Sequence, residues 1–146
     1  MIADSRTSVA FTGHRTYRGA AADALRRTVG ELYARGFRNF LSGMAVGFDL
    51  AAAEAVLELR ERAPGVRLVA AVPFRGQEMR FSPADRERFR RVLAEADSVE
   101  VLAPAYHRGC YAVRNDFLVY NARVLVAWYD GSPGGTRYTV RLSLIH

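Results

Sequence analysis

The sequence predicts an α/β fold: a three-layer αβα arrangement with a mainly parallel sheet of about five strands and helices on both faces. Three observations carry that expectation. Short β-branched and apolar runs alternate with helical patterns along the whole chain. The apolar runs are short and nearly continuous, as strands covered on both faces are. Most of them end in glycine, proline or aspartate turns, and in such sheets ligands sit beyond the carboxyl ends of the strands.

Each element has its own reason. Residues 8–12 (SVAFT) form the first strand, which stops at Gly13. Residues 20–35 are helical, because Leu25, Val29 and Leu32 fall on one stripe and Gly36 follows as a terminator. Residues 39–42 make the second strand, ended by Gly43, and 47–62 the second helix, with Leu50, Ala53, Val56 and Leu57 on its inner side. Residues 67–72 (RLVAAV) read as a buried strand ending at Pro73. The third helix opens at Ser82, an N-cap, with Pro83 at the first helical position and Asp85 in the first turn, and runs to about Ala96. It buries Phe89, Val92 and Leu93. Residues 99–102 form a strand, 104–109 a loop, 111–121 a helix and 124–128 the most apolar strand. Residues 130–135 are a turn, and a short helix is expected near Gly135.

Composition narrows the function. The chain has 146 residues, and the expectation is a single domain over 1–146. One cysteine, Cys110, cannot form an internal disulfide, and the first residues, which include Asp4 and Arg6, carry no apolar leader segment. No run approaches the ~20 apolar residues of a membrane span. A cytoplasmic protein without a membrane partner is expected. The formal charge is +6, and all 21 basic residues are arginine. They are scattered beside Asp and Glu, as solvated helix faces are, so a nucleic-acid partner is not the first expectation, though it stays open. The absence of lysine excludes a Walker-type phosphate loop and Schiff-base chemistry. His14, His107 and Cys110 lack metal-ligand spacing, so neither a metal nor a cofactor is expected.

The strand ends carry the chemistry. Gly13-His14-Arg15 is a tight turn with a basic pair that can meet an anion, or a turn with solvated charges. Ser42-Gly43-Met44-Ala45-Val46-Gly47-Phe48-Asp49 leads into a helix whose N–H groups can hold a phosphate. Asp49 there is a helix cap or a contact to a ribose hydroxyl. Phe74, after Pro73, stacks on a base or plugs the core, and Gln77 can hydrogen-bond a base. Arg114, with Tyr111 and Asn115, grips a phosphate or ribose, or forms a surface salt bridge. Asp130-Gly131-Ser132-Pro133-Gly134-Gly135-Thr136 has the glycines, hydroxyl and following turn of a phosphate cradle.

Taken in order, T-G-H-R at 12–15, S-G-M-A-x-G-x-D at 42–49, P-F at 73–74, Y-x-x-R-N at 111–115 and D-G-x-x-G-G-T at 130–136 resemble the SLOG superfamily. That superfamily is named for the DNA-processing protein A and LONELY GUY groups, and the pattern is most similar to its YpsA-like bacterial branch. The resemblance implies a Rossmann-like fold, a nucleotide-type ligand between the glycine-rich turns, and a homo-oligomer. In the phosphoribohydrolase relatives an arginine and a glutamate carry catalysis. Arg114 matches the arginine, but Thr139 stands at the glutamate position, which puts hydrolysis in doubt and leaves binding intact. The family also continues past its last helix with a strand, which is expected to be missing or altered here. Three functions follow: a nucleotide-binding sensor or module; a nucleotide-processing hydrolase using Asp49, Glu54 or Asp130 with Arg114; or a binder of single-stranded DNA.

Overall fold

The computed structural model describes residues 4–129. Five strands, β1 (Ser8–Gly13), β2 (Asn39–Ser42), β3 (Arg67–Val72), β4 (Ser98–Val101) and β5 (Val124–Trp128), alternate with four α-helices, α1 (Ala22–Ala34), α2 (Phe48–Arg60), α3 (Pro83–Glu95) and α4 (Cys110–Tyr120). The strands form one sheet in the order β4-β3-β2-β1-β5, and every pairing is parallel. The α/β, Rossmann-like class is therefore as expected. Two short 3-10 turns, Ser5–Thr7 and Gln77–Arg80, carry no periodic signal and are not anticipated by the sequence. The expected turn and helix beyond residue 129 lie outside the described residues.

Element ends differ from expectation by one or two residues, for local reasons. Gly47, at φ 84°, is the N-cap of α2 and not its first residue, and Gly109, at φ 89°, performs the same task one residue before α4. Both conformations are cheap for glycine alone. At α3 the cap is the anticipated one: Ser82 Oγ accepts from the Asp85 N–H at 3.2 Å and Pro83 opens the helix.

Side-chain alternation divides the core into two layers. Val9, Phe11, Phe40, Leu68, Ala70 and Val72 pack with Leu25, Val29, Leu32, Val56, Phe89 and Val92 from α1, α2 and α3. Ala10, Leu41, Val69 and Ala71 pack on the opposite face with Leu118 of α4. The Phe11 and Phe40 rings stack at 6.2 Å across the β1–β2 pair. This division follows from handedness. Right-handed crossovers stepping from β1 to β4 put three helices on one face, and the return crossover to β5 puts α4 on the other. The chain thus reverses direction beside β1, and in such sheets ligands sit beyond the carboxyl ends of the strands near that point. Among the described residues no helix is long and apolar enough to cross a membrane, and no group of three His, Cys, Asp or Glu is arranged to hold a metal.

Candidate functional site

The loop from β2 into α2 is built around Ser42 and Asp49. Ser42 Oγ donates to the Asp49 carbonyl at 2.9 Å and accepts from the Met44 N–H at 3.2 Å. Met44 has φ 64°, an uncommon conformation for a residue with a side chain, and that side chain is fully buried. The glycines admit the chain's own atoms. A Cβ on Gly13 would overlap Phe48, one on Gly47 would lie 2.6 Å from the His14 carbonyl oxygen, and one on Gly43 would lie 2.7 Å from Arg114 Cδ. The first N–H groups of α2 are also in use, since Phe48 donates to the His14 carbonyl at 3.3 Å and Leu50 to that of Ala45 at 3.2 Å. With the Asp49 carboxylate in the first turn, this helix end is not the open phosphate cradle that the glycine spacing suggests.

Arg114 is buried, with a relative exposure of 6%, and is no surface ion pair. Its Nη1 donates to the Gly43 carbonyl at 2.6 Å and its Nε to Asn115 Oδ1 at 2.9 Å, so one guanidinium ties α4 to the turn after β2. Asp49 is buried beside it. Oδ2 accepts from the Ala45 N–H at 3.3 Å, and Oδ1 has no hydrogen-bond partner. Asp49 thus braces its own loop, while the capping position belongs to Gly47. Burial pushes the Asp49 carboxyl up to about 6, against the pull of Arg114, the Ala45 N–H and Arg15. Burial likewise lowers the Arg114 guanidinium, and the Asp49 charge opposes it.

Around this pair lies a rim of arginines and tyrosines. The Arg15 guanidinium sits 5.0 Å from the centre of the Tyr111 ring, and that of Arg80 sits 4.6 Å from Tyr106. Phe74 is the core plug: it is buried with Ala103 and Cys110, with Tyr106 edge-on at 5.5 Å and Tyr111 at 6.0 Å. Gln77 is buried at 2% exposure, and its Oε1 has no partner. It lines a cavity of about 220 Å³ with Arg15, Val46, Arg80, Ser82 and Tyr111. A wider cleft of about 620 Å³, lined by Arg18, Tyr17, Gly47 and Glu54 among others, shares Arg15, Val46 and Asp85 with it.

The remaining sequence-predicted residues are distributed as follows. His14 packs its ring against Trp128 of β5 at 5.7 Å. Asn115 serves Arg114. Glu54 lies in the wider cleft, but its carboxylate is held by Arg88 at 2.6 Å, and Arg88 also reaches Asp85 at 3.0 Å. Asp130, Gly134, Gly135, Thr136 and Thr139 lie outside the described residues. Arg80 and Tyr106 join the rim without any sequence signal, because a cation over a ring is a tertiary contact with no fixed spacing.

The YpsA family model, described as the YspA SLOG family, matches residues 10–143. A UPF0398 protein of Shouchella clausii is 38% identical over 94 residues, covering 62% of this chain and 50% of that protein. A UPF0398 protein of Halalkalibacterium halodurans is 28% identical over 123 residues, covering 82% and 65%. The chain therefore spans about half to two thirds of the length of these curated relatives. Among solved structures, DNA processing protein A of Streptococcus pneumoniae matches with a TM-score of 0.68 at 18% identity, over 96% of this chain and 47% of that one. The Helicobacter pylori protein of the same name, described for its single-stranded DNA binding mode, matches with 0.67 at 20% identity, over 96% and 61%. At these identities the structural likeness is one of fold.

Proposed function

The chain belongs to the YspA SLOG family, and we propose that it is a binding module for a phosphorylated nucleotide or nucleotide-derived ligand held at the carboxyl ends of the strands. One observation carries this. Arg15 and Arg80 are exposed, form no ion pair among the described residues, and each lies across a tyrosine ring beside a cavity. Such guanidinium groups are held in place by the ring while their N–H edges stay available to phosphate oxygens. Arg114 and Asp49 support the site from below, and the glycine turn with Asp130, Gly134, Gly135 and Thr136 is assigned to the same ligand from the sequence. Titration calorimetry with nucleoside monophosphates tests the proposal. Arg15→Ala with Arg80→Ala should raise the dissociation constant about 10- to 100-fold. Unchanged binding by the folded double variant would refute it.

Single-stranded DNA is the second reading, favoured by the fold likeness to the Helicobacter pylori protein and by the arginine–tyrosine rim, since rings and guanidinium planes both stack on bases. Binding of an oligothymidylate that weakens steeply with salt would favour it over a small nucleotide, because counterion release scales with the number of phosphates engaged. Hydrolysis is the less favoured outcome: Thr139 stands where the relatives' glutamate is expected, and release of free base from a monophosphate would reverse that judgement.

A further inference from the structure

Three arginines without a counter-ion surround the junction of the two cavities. Arg15 lines both spaces, Arg80 the smaller and Arg18 the wider. All three side chains are exposed, and none forms an ion pair among the described residues. The carboxylates lining the two spaces are engaged elsewhere: Arg88 holds Glu54 at 2.6 Å and Asp85 at 3.0 Å, and Arg26 lies 3.5 Å from Glu58. Among the described residues, five arginines (15, 18, 26, 80 and 88) thus face three carboxylates (54, 58 and 85), a positive excess. The loop that carries Arg15 and Arg18 is fixed. Between them Tyr17 is buried, its hydroxyl accepts from the Ala21 N–H at 3.2 Å, and its ring packs edge-on against Phe48 at 5.4 Å and Trp128 at 5.1 Å. Arg114 is lowered first by burial and further by the Arg15 charge, so two like charges lie close enough to repel. Guanidinium forks in such surplus are matched by phosphoryl oxygens.

On the nucleotide-binding function above, we propose that this junction is a diphosphate subsite and that the ligand is a nucleoside 5′-diphosphate, with Arg15 between its two phosphoryl groups, Arg80 on one side and Arg18 on the other. A single phosphoryl group meets Arg15 and one of its neighbours. Two groups joined through one oxygen meet all three arginines, and they bring the additional negative charge that the arginine excess leaves unbalanced. Volume sets the direction. At about 220 Å³ the smaller cavity is below the ~300–1,000 Å³ that ordinarily holds a whole ligand, so it takes the terminal phosphoryl end. The cleft of about 620 Å³ lies within that range and takes the nucleoside.

The test is calorimetry on the full chain with adenosine and uridine 5′-mono- and diphosphates and with inorganic pyrophosphate. The wild type should bind each diphosphate at least about tenfold more tightly than its monophosphate. Arg18→Gln should abolish that gain. Arg27→Gln removes the same charge from an exposed position on α1 outside both cavities and should preserve it. Equal affinities for mono- and diphosphate in the wild type, a gain that survives Arg18→Gln, or one that Arg27→Gln also abolishes, overturn the diphosphate subsite alone. If pyrophosphate binds and no nucleotide does, the nucleotide function falls and the diphosphate subsite stands. If none of these ligands binds, both fall.

Discussion

Adding one methyl group at Gly43 tests how this site is held together. The Gly43→Ala Cβ would lie 2.7 Å from Arg114 Cδ and 3.0 Å from both Arg114 Nε and Asp49 Oδ2. Gly43 does not have positive φ, so the substitution brings no backbone strain and its whole cost is steric. Arg114 cannot yield cheaply, because its guanidinium is fixed by the 2.6 Å bond to the Gly43 carbonyl and the 2.9 Å bond to Asn115. Moving it forfeits charge-assisted bonds worth about 1.5–3 kcal/mol, and overpacking adds about 1–3 kcal/mol. The expected loss is about 2.5–6 kcal/mol, a large share of the ~5–15 kcal/mol by which domains are stable. Urea unfolding with linear extrapolation measures it, and the midpoint should fall without a large change in slope. Gly30→Ala is the control: its Cβ meets nothing within 4 Å in the interior of α1, and it should stabilise by about 0.5–1 kcal/mol. In an Arg114→Ala background the Gly43→Ala penalty should shrink by more than half. A Gly43→Ala protein within about 0.5 kcal/mol of wild type, in the range of ordinary surface changes, would refute the reasoning.

Asp49 predicts a pH dependence. Its carboxyl titrates near 6 when folded and near 3.8 otherwise, so the native state holds this proton more tightly. Its contribution to stability is therefore greatest below about pH 4 and is lost as pH rises through 6, by on the order of 3 kcal/mol. The difference in unfolding free energy between wild type and Asp49→Asn should slope between pH 4 and 6 and be flat above; a flat difference throughout would show that the carboxyl is not desolvated. Ser82→Ala removes the side-chain acceptor for the Asp85 N–H and should cost about 1 kcal/mol in the same assay; no loss would mean that Pro83 alone starts α3.

The division between sequence and structure follows the range of the forces involved. Sequence by itself determined what local chemistry controls: the alternation of strands and helices, the Leu25–Val29–Leu32 stripe, the Ser82–Pro83 start of α3, and the strand-end turns where Gly13, Gly43 and Asp49 sit. Each depends on a period or on a neighbour a few residues away. Spacing could not say why the glycines are there. Gly43 is small because Arg114, 71 residues later, donates to its carbonyl and crosses its face. Nor could it choose between a stacking and a core role for Phe74, because Tyr106, Tyr111 and Cys110 reach that ring only when α4 packs across the sheet. Gln77 and Arg80 lie in a 3-10 turn with no periodic signature. Their meaning, a buried amide lacking a donor and a cation spread over a ring, comes from desolvation and shape at the place where β1, β2, β3 and α4 converge. Those are properties of the assembled surface, which a list of neighbours along the chain does not contain.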